Sequence, residues 1–388
     1  MTTLITARGP RELLAYVPYR LGYRPHDSVV LVGLRGARGR VGLVARVDVA
    51  DLADLDRGPQ VARTVLAHLR ADGARRVVLV AYTDAPLRAG GAGAARERAA
   101  VEHCREVVEA ALGPADVWQV SSTGWSCVDC ADPACCPPQG RDLRDLAASE
   151  VGAHMVLAGA GVAGSREEAL RIPRAPADAR RSAARASRRA ARARTGRGPA
   201  DGPGDPVVPG GERSAERAWC VRGLAAWREA VAAVVRAGAQ EAPLLPPPLL
   251  GRLEAALAHV SVRDAVLLSL VPGTGDLPER TVHGADVDGG TGEAVARLVD
   301  PTVALAPDAA LTGPARTVLE AVVAHAAVGR AAPALSLLAL VAWWHGDGGR
   351  AAERLREALA QDASYRLALL LASAVDAAVP PGWLRAQD

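Results

Sequence analysis

The chain contains no lysine, no asparagine and no phenylalanine, and only two isoleucines, Ile5 and Ile172, among 388 residues. The missing residues have AT-rich codons, so the bias reads as that of a GC-rich genome. All 46 basic residues are therefore arginine. The usual inference from Arg over Lys, forked recognition of phosphate or carboxylate, loses most of its force here. Absence of lysine still excludes chemistry. A P-loop needs Gly-Lys-Ser/Thr to reach its phosphates, and a pyridoxal phosphate enzyme needs a Schiff-base lysine. Neither GxSxG nor HExxH occurs, which removes the common hydrolase and zincin signatures. Long apolar runs are missing as well. The longest, Leu337–Trp344, is too short to span a bilayer, and the N-terminal stretch MTTLITARGPRELLAYVPYR has neither an apolar signal segment nor a small-residue cleavage site. A cytoplasmic protein without a membrane span and with reduced thiols is expected.

What remains is globular: 49% of residues are hydrophobic and 23% charged. The length allows two domains with separate cores. Gly9-Pro10 opens a helix whose apolar face is Leu13, Leu14, Val17 and Leu21, with a break expected at Pro18. Ser28–Leu34 and Val41–Val49 read as an antiparallel hairpin. Helical spacing over 59–72, an apolar strand at Arg75–Thr83, a helix from Arg96 to Leu112 and a strand at Asp116–Ser122 complete an α/β pattern, and residues 143–158 read as helical. The prediction is an α/β N-terminal domain, a mixed sheet with an N-terminal β-hairpin and flanking helices, over residues 1–164.

From Ser165 the character changes. Ser165-x-x-Glu168 is a capping box opening a short helix that ends before Pro173. Residues 166–198 carry eleven Arg against three acids, a net of +8 that leaves the rest of the chain near −5. Residues 165–213 are read as an Arg-rich helix followed by a Pro/Gly linker, DGPGDPVVPGG, which is the expected boundary. Beyond it, 214–388 reads as an all-α bundle, with helices over 214–240, 249–270, 291–300 and 315–378. One helix pair around Trp343 and Ala358-Leu359 is tetratricopeptide-like, but a solenoid needs about three repeats.

Four of six cysteines fall within ten residues, in WSCVDCADPACCPPQGR (Trp125–Arg141). Cys127, Cys130, Cys135 and Cys136 are the candidate metal ligands, and zinc is the metal thiolates would take. Adjacent Cys135 and Cys136 are expected to face one ion with difficulty, so Cys127, Cys130 and either Cys135 or Cys136, with His154 or His103 as an outside fourth, form one alternative. A redox pair and a stiff loop of buried thiols under Trp125 are the others. Gly159-Ala-Gly161-Val-Ala-Gly164 fits G-x-G-x-x-G, but the preceding segment reads as helix and no acid follows at the right distance; a helix-ending turn is the better account. Arg24, Asp27, Arg46, Asp48, Tyr82 and Asp84 sit at turns and strand ends where open sheets bind ligands, and they are candidate ligand-binding residues; turn formation and strand capping are the alternative. The Arg-rich segment lacks interleaved aromatics, so nucleic acid is not the favoured partner. His325 and His345 read as surface or partly buried histidines.

The cysteine stretch, together with VPYRLGYRPHDSVVLVGLRG, ARVDV, VLVAYTD, the VRDAVL segment at Val262 and WWHGDGGRAAERLREALAQDASYRLALLL, resembles an actinobacterial family known as domain of unknown function number 4192. The family's recurring cysteines, so matched, are Cys130, Cys135 and Cys136, while Cys127 departs from its pattern. The resemblance implies a fold and a lineage and no activity. The favoured reading is a binding or regulatory protein with a protein partner on its helical domain. The alternative is an enzyme with its site at the strand carboxyl ends, carrying a cysteine-bound zinc.

Overall fold

The computed structural model describes residues 9–37, 39–88, 92–157, 160–194, 211–238, 245–285, 288–377 and 379–385. The chain forms two compact units that divide between Arg171 and Ile172. The expected Pro/Gly boundary at 201–210 and Gly159 of the glycine motif lie outside the described residues.

In the first unit, helix α1 (Pro10–Leu21) precedes the hairpin β1 (Ser28–Arg35) and β2 (Arg40–Asp48). Then follow α2 (Val49–Leu52), α3 (Gly58–Ala71), β3 (Ala74–Tyr82), α4 (Ala95–Leu112), β4 (Asp116–Val120), β5 (Trp125–Cys127), α5 (Arg144–Ala147), α6 (Glu150–Leu157) and α7 (Arg166–Leu170). The strands form one five-stranded mixed sheet in the order β2-β1-β3-β4-β5. Only β3 and β4 run parallel, joined by the α4 crossover, while β2, β1 and β5 pair antiparallel with their neighbours. Strand side chains alternate between faces, and the sheet accordingly carries a core on each side. Val29, Leu31 and Leu79 pack with Leu52, Leu66 and Val101 of the α2–α4 layer. Val30, Val32 and Val80 pack with Leu13, Leu14 and Val17 of α1. This is the predicted α/β class.

Three local expectations are corrected. Pro18 does not end α1, which continues to Leu21 and closes on Gly22 at φ 80°. Loss of one ladder hydrogen bond is offset because Leu13, Leu14 and Val17 are all buried, each worth about 1.5–3 kcal/mol. The start of the cysteine stretch is not loop but strand: Val120 pairs Trp125 and Trp118 pairs Cys127. In place of one helix over the stretch there are two short ones, α5 and α6, with the Ser149 hydroxyl accepting the Gly152 N–H at 3.0 Å at the start of the second.

Among its described residues the second unit contains helices and no strand: α8 (Ala177–Arg194), α9 (Gly211–Ala237), α10 (Pro247–Leu257), α11 (Val260–Leu270), α12 (Leu277–Val282), α13 (Asp288–Val299), α14 (Ala309–His325), α15 (Ala332–Trp344), α16 (Gly348–Gln361), α17 (Arg366–Asp376) and α18 (Gly382–Arg385). The expected single helix over 249–270 breaks at His259, whose backbone is extended at φ −93° and ψ 127°. The Arg-rich stretch is a packed helix rather than a solvated one. Ala183, Ala186 and Ser187 recur at helical spacing on α8 and are buried. They lie against Gly251 of α10, where any Cβ would collide with the Ala183 carbonyl. Small residues let two backbones approach, and the arginines take the remaining faces. Trp219 reinforces the contact by donating its indole N–H to the Ala190 carbonyl at 2.7 Å. Among the described residues no helix is long and apolar enough to cross a membrane.

Candidate functional site

The cysteine loop leaves the end of β5 and returns to it. Trp125 and Arg141 exchange two backbone hydrogen bonds, at 3.0 and 2.8 Å, which close the loop's base. Gly124 makes that closure sterically feasible, since a Cβ there would lie 2.7 Å from the Arg141 carbonyl oxygen and 2.8 Å from that of Gln139. Within the loop, Asp132 accepts the Ala134 N–H on its carboxylate and the Cys136 N–H on its carbonyl, both at 2.8 Å. Two arginines hold the loop through its carbonyls. The Arg88 guanidinium donates to the carbonyls of Cys130, Cys136 (3.0 Å) and Pro137 (3.3 Å). Arg141 donates to the Cys135 carbonyl at 2.7 Å while its guanidinium sits 5.2 Å over the Trp125 ring. Arg105 holds Asp129 through two bonds of 2.8 and 2.9 Å.

The outcome is convergence of sulfur. The Sγ atoms of Cys130, Cys135 and Cys136 all lie within 4.8 Å of one another. A tetrahedral ion with thiolates at about 2.3 Å needs sulfurs about 3.8 Å apart, so small side-chain adjustments bring the three into range. Cys135 and Cys136, expected to face one ion with difficulty, both belong to this trio, in place of Cys127. The bond from the Cys136 N–H to the Asp132 carbonyl curls the chain into a turn. Successive side chains then diverge by roughly the 100° of a helix, not the 180° of a strand. Cys127 stands outside the trio on β5. Burial pushes its thiol up, countered in part by the N–H groups of Asp129 and Cys130. The Asp132 backbone holds the Cys130 thiol below its ordinary value, and the Cys136 and Cys135 thiols add to that effect. Neither expected outside ligand joins the cluster. His103 Nδ1 lies 2.6 Å from the Leu52 carbonyl, and His154 is exposed on α6.

At the other candidate site the strand register sets Asp48 and Tyr82 on either side of Ser28. Arg46 pairs with Asp48 through bonds of 3.0 and 2.5 Å, and Arg166 approaches the same carboxylate at 3.8 Å. Ser28 Oγ, Arg46 Nε and the Tyr82 hydroxyl are buried without a hydrogen-bond partner among the described residues. Burial drives the Tyr82 ionisation far up. The remaining members do local work. Asp84 accepts the Ser122 N–H at 2.6 Å, which holds its carboxyl below the usual range. Asp27 takes a left-handed turn at φ 43° and approaches His26 at 3.2 Å, while Arg24 is exposed. Among the described residues of the glycine motif, Ala160 donates its N–H to the Met155 carbonyl and Gly164 to the Glu168 carboxylate, both at 2.9 Å.

Arg88 and Arg141 were not legible as loop-holding residues, because in a lysine-free chain an arginine carries no signal of its own. A second cluster also escaped notice: Cys220 Sγ lies 3.6 Å from His259 Nδ1, and His259 Nε2 lies 3.1 Å from Glu216. Its sulfur is buried among the helices of the second unit.

A family model described as Domain of unknown function (DUF4192) matches residues 10–281. The chain belongs to that family. The matched span contains the whole cysteine loop and the Val262 segment, and it stops before the Trp343 helix pair, to which the sequence resemblance had been extended. No curated protein and no solved structure matches the chain.

Proposed function

We propose that this protein is a binding or regulatory protein of the cytoplasm whose α/β unit is stabilised by a zinc ion on Cys130, Cys135 and Cys136, with a protein partner taken by the helical unit. The observation that carries the metal reading is the mutual approach of three sulfurs within 4.8 Å on a loop whose carbonyls are tied down. Three thiolates on a divalent ion leave one surplus negative charge, and the Arg88 and Arg141 guanidiniums at the loop offset it. Cys127, three residues before Cys130, is the candidate fourth ligand, and water is the alternative. With Cys127 as the fourth ligand the site is closed and structural, and it ties the Pro-rich loop to the edge strand β5. Metal analysis of protein purified without added zinc tests this. One equivalent per chain is expected, falling sharply in Cys135→Ser and Cys136→Ser. A content well below one equivalent in the unaltered chain overturns the metal reading, and retention of metal in Cys127→Ala assigns the fourth position to water.

A specific observation favours a second reading, an enzyme or ligand site at the strand ends. Buried polar groups are nearly always hydrogen-bonded, yet Ser28 Oγ, Arg46 Nε and the Tyr82 hydroxyl all lack a partner at one end of one sheet face. A small polar ligand or ordered water satisfies them. Thermal-shift screening with nucleotides and metabolites decides: a ligand at 100 times its Kd adds about 2.7 kcal/mol, and that gain must vanish in Tyr82→Phe. If no compound shifts the melt, this reading falls.

A further inference from the structure

The helical unit holds a cavity of about 210 Å³ between α14, α15 and α16. Its floor is apolar, built by Leu338, Val341 and Ala342 of α15. Gly313 adds no side chain to the wall, and a Cβ there would meet nothing within 4 Å. The polar lining is of a different character. Its charged lining is Arg316, Glu320, Asp347, Arg350 and the buried Arg354. Arg350 is held by Asp347 at 3.0 Å and Arg354 by Glu357 at 2.7 Å, while Arg316 makes neither an ion pair nor a hydrogen bond among the described residues. The remaining polar wall is fixed by a short relay. The Thr312 hydroxyl donates to the Asp308 carbonyl at 2.8 Å, so His345 Nε2–H donates to Thr312 Oγ1, also at 2.8 Å.

We infer that this cavity is a binding site for a small monocarboxylate with a short aliphatic body. Charge decides between anions. With Arg350 and Arg354 held by Asp347 and Glu357, Arg316 is the guanidinium left to take a ligand's charge, and one guanidinium balances a monoanion but leaves a dianion such as phosphate in surplus beside Glu320. Shape points the same way. A guanidinium fork matches a planar carboxylate through two parallel bonds, and the aliphatic floor offers nothing to further polar groups. Volume sets the length. At about 30 Å³ for each water-sized group, the cavity has room for about seven heavy atoms, a carboxylate and about four carbons. The neutral form of His345 is favoured by burial and by Arg316, so the ring adds no second positive charge at neutral pH. The inference stands apart from the zinc reading, since it uses no residue of the α/β unit.

The test is calorimetric titration of the full chain with a graded series of acids from acetate to octanoate, together with isovaleramide and inorganic phosphate. Saturable binding that peaks at five or so carbons is expected, with the amide and phosphate much weaker. Arg316→Gln removes a charged hydrogen bond and is expected to weaken isovalerate about tenfold to hundredfold. Ala309→Trp, at an exposed position on the rim, covers the opening and is expected to abolish binding without lowering the melting temperature. The inference is overturned if no acid in the series saturates, if amide and acid bind alike, if phosphate binds best, or if Ala309→Trp binds as the unaltered chain does.

Discussion

Glu254 offers the sharpest test of how the helical unit is held together. It lies on α10 and is 4% exposed. One carboxylate oxygen accepts the Ser187 hydroxyl of α8 at 2.7 Å, and the other accepts the Ala327 N–H at 2.9 Å. Arg330 stands 3.5 Å away and is nearly half exposed, so its contribution is screened. Replacing Glu254 by Gln keeps both bonds available, because the amide oxygen can face Ala327 and the amide nitrogen can donate to a rotated Ser187 hydroxyl. Only charge assistance is lost, a cost of about 1 kcal/mol. Glu254→Leu leaves a buried hydroxyl and a buried N–H orphaned, at about 1–3 kcal/mol each, offset in part by the new apolar contacts and by removing a buried carboxylate. The net is about 3 kcal/mol, or roughly 6–12 °C in melting temperature for a unit of this size. Adding Ser187→Ala to Glu254→Leu should recover about 1 kcal/mol, since one orphan disappears. Urea unfolding followed by tryptophan fluorescence reads this directly, because Trp219 and Trp227 lie in the same core. Equal costs for Gln and Leu, or strictly additive behaviour of Ser187→Ala, would refute the reasoning.

Three further outcomes follow from the same geometry. Gly251→Ala should destabilise by about 2 kcal/mol, because its Cβ must displace the α8 backbone, whereas Gly292→Ala on α13 meets open space and should stabilise by about 0.5–1 kcal/mol; denaturation midpoints that move the same way would contradict the packing. Gly124→Ala should part the base of the cysteine loop and, on the proposed zinc reading, lower the metal content while the circular dichroism spectrum stays unchanged. His345 titrates below its ordinary value of 6.5, through burial and then Arg316, with Asp347 opposing. The unfolded chain therefore takes up a proton first as pH falls, so stability is full above about pH 6.5 and declines below it until the folded form is protonated too. Melting curves across that range should show His345→Gln with the flatter dependence, and parallel curves would disprove the linkage.

Much of the α/β unit was legible one residue at a time. Alternation and β-branched runs marked the hairpin and β3, and apolar spacing marked α3 and α4, because these signals are local. Pro18 misled because its cost is local while the burial that outweighs it is not. His259 escaped because nothing in its neighbours demands an extended backbone; the turn between α10 and α11 does. Glu254 and Gly251 carry no sign in sequence of the helix they hold, since their partners lie about 70 residues away in α8.

The sequence by itself determined the class of both units, the chemistries excluded by missing lysine, and the identity of the one dense thiol cluster. Tertiary structure decided which sulfurs meet. Cys130, Cys135 and Cys136 converge because a turn bonded at Asp132 and clamped by Arg88 and Arg141 bends the chain, and Cys127 stays on β5 because strand pairing holds it there. It also decided that the Arg-rich segment is a packed helix, for the charge of a segment is a property of its composition, while the burial of its alanines depends on a glycine elsewhere in the chain.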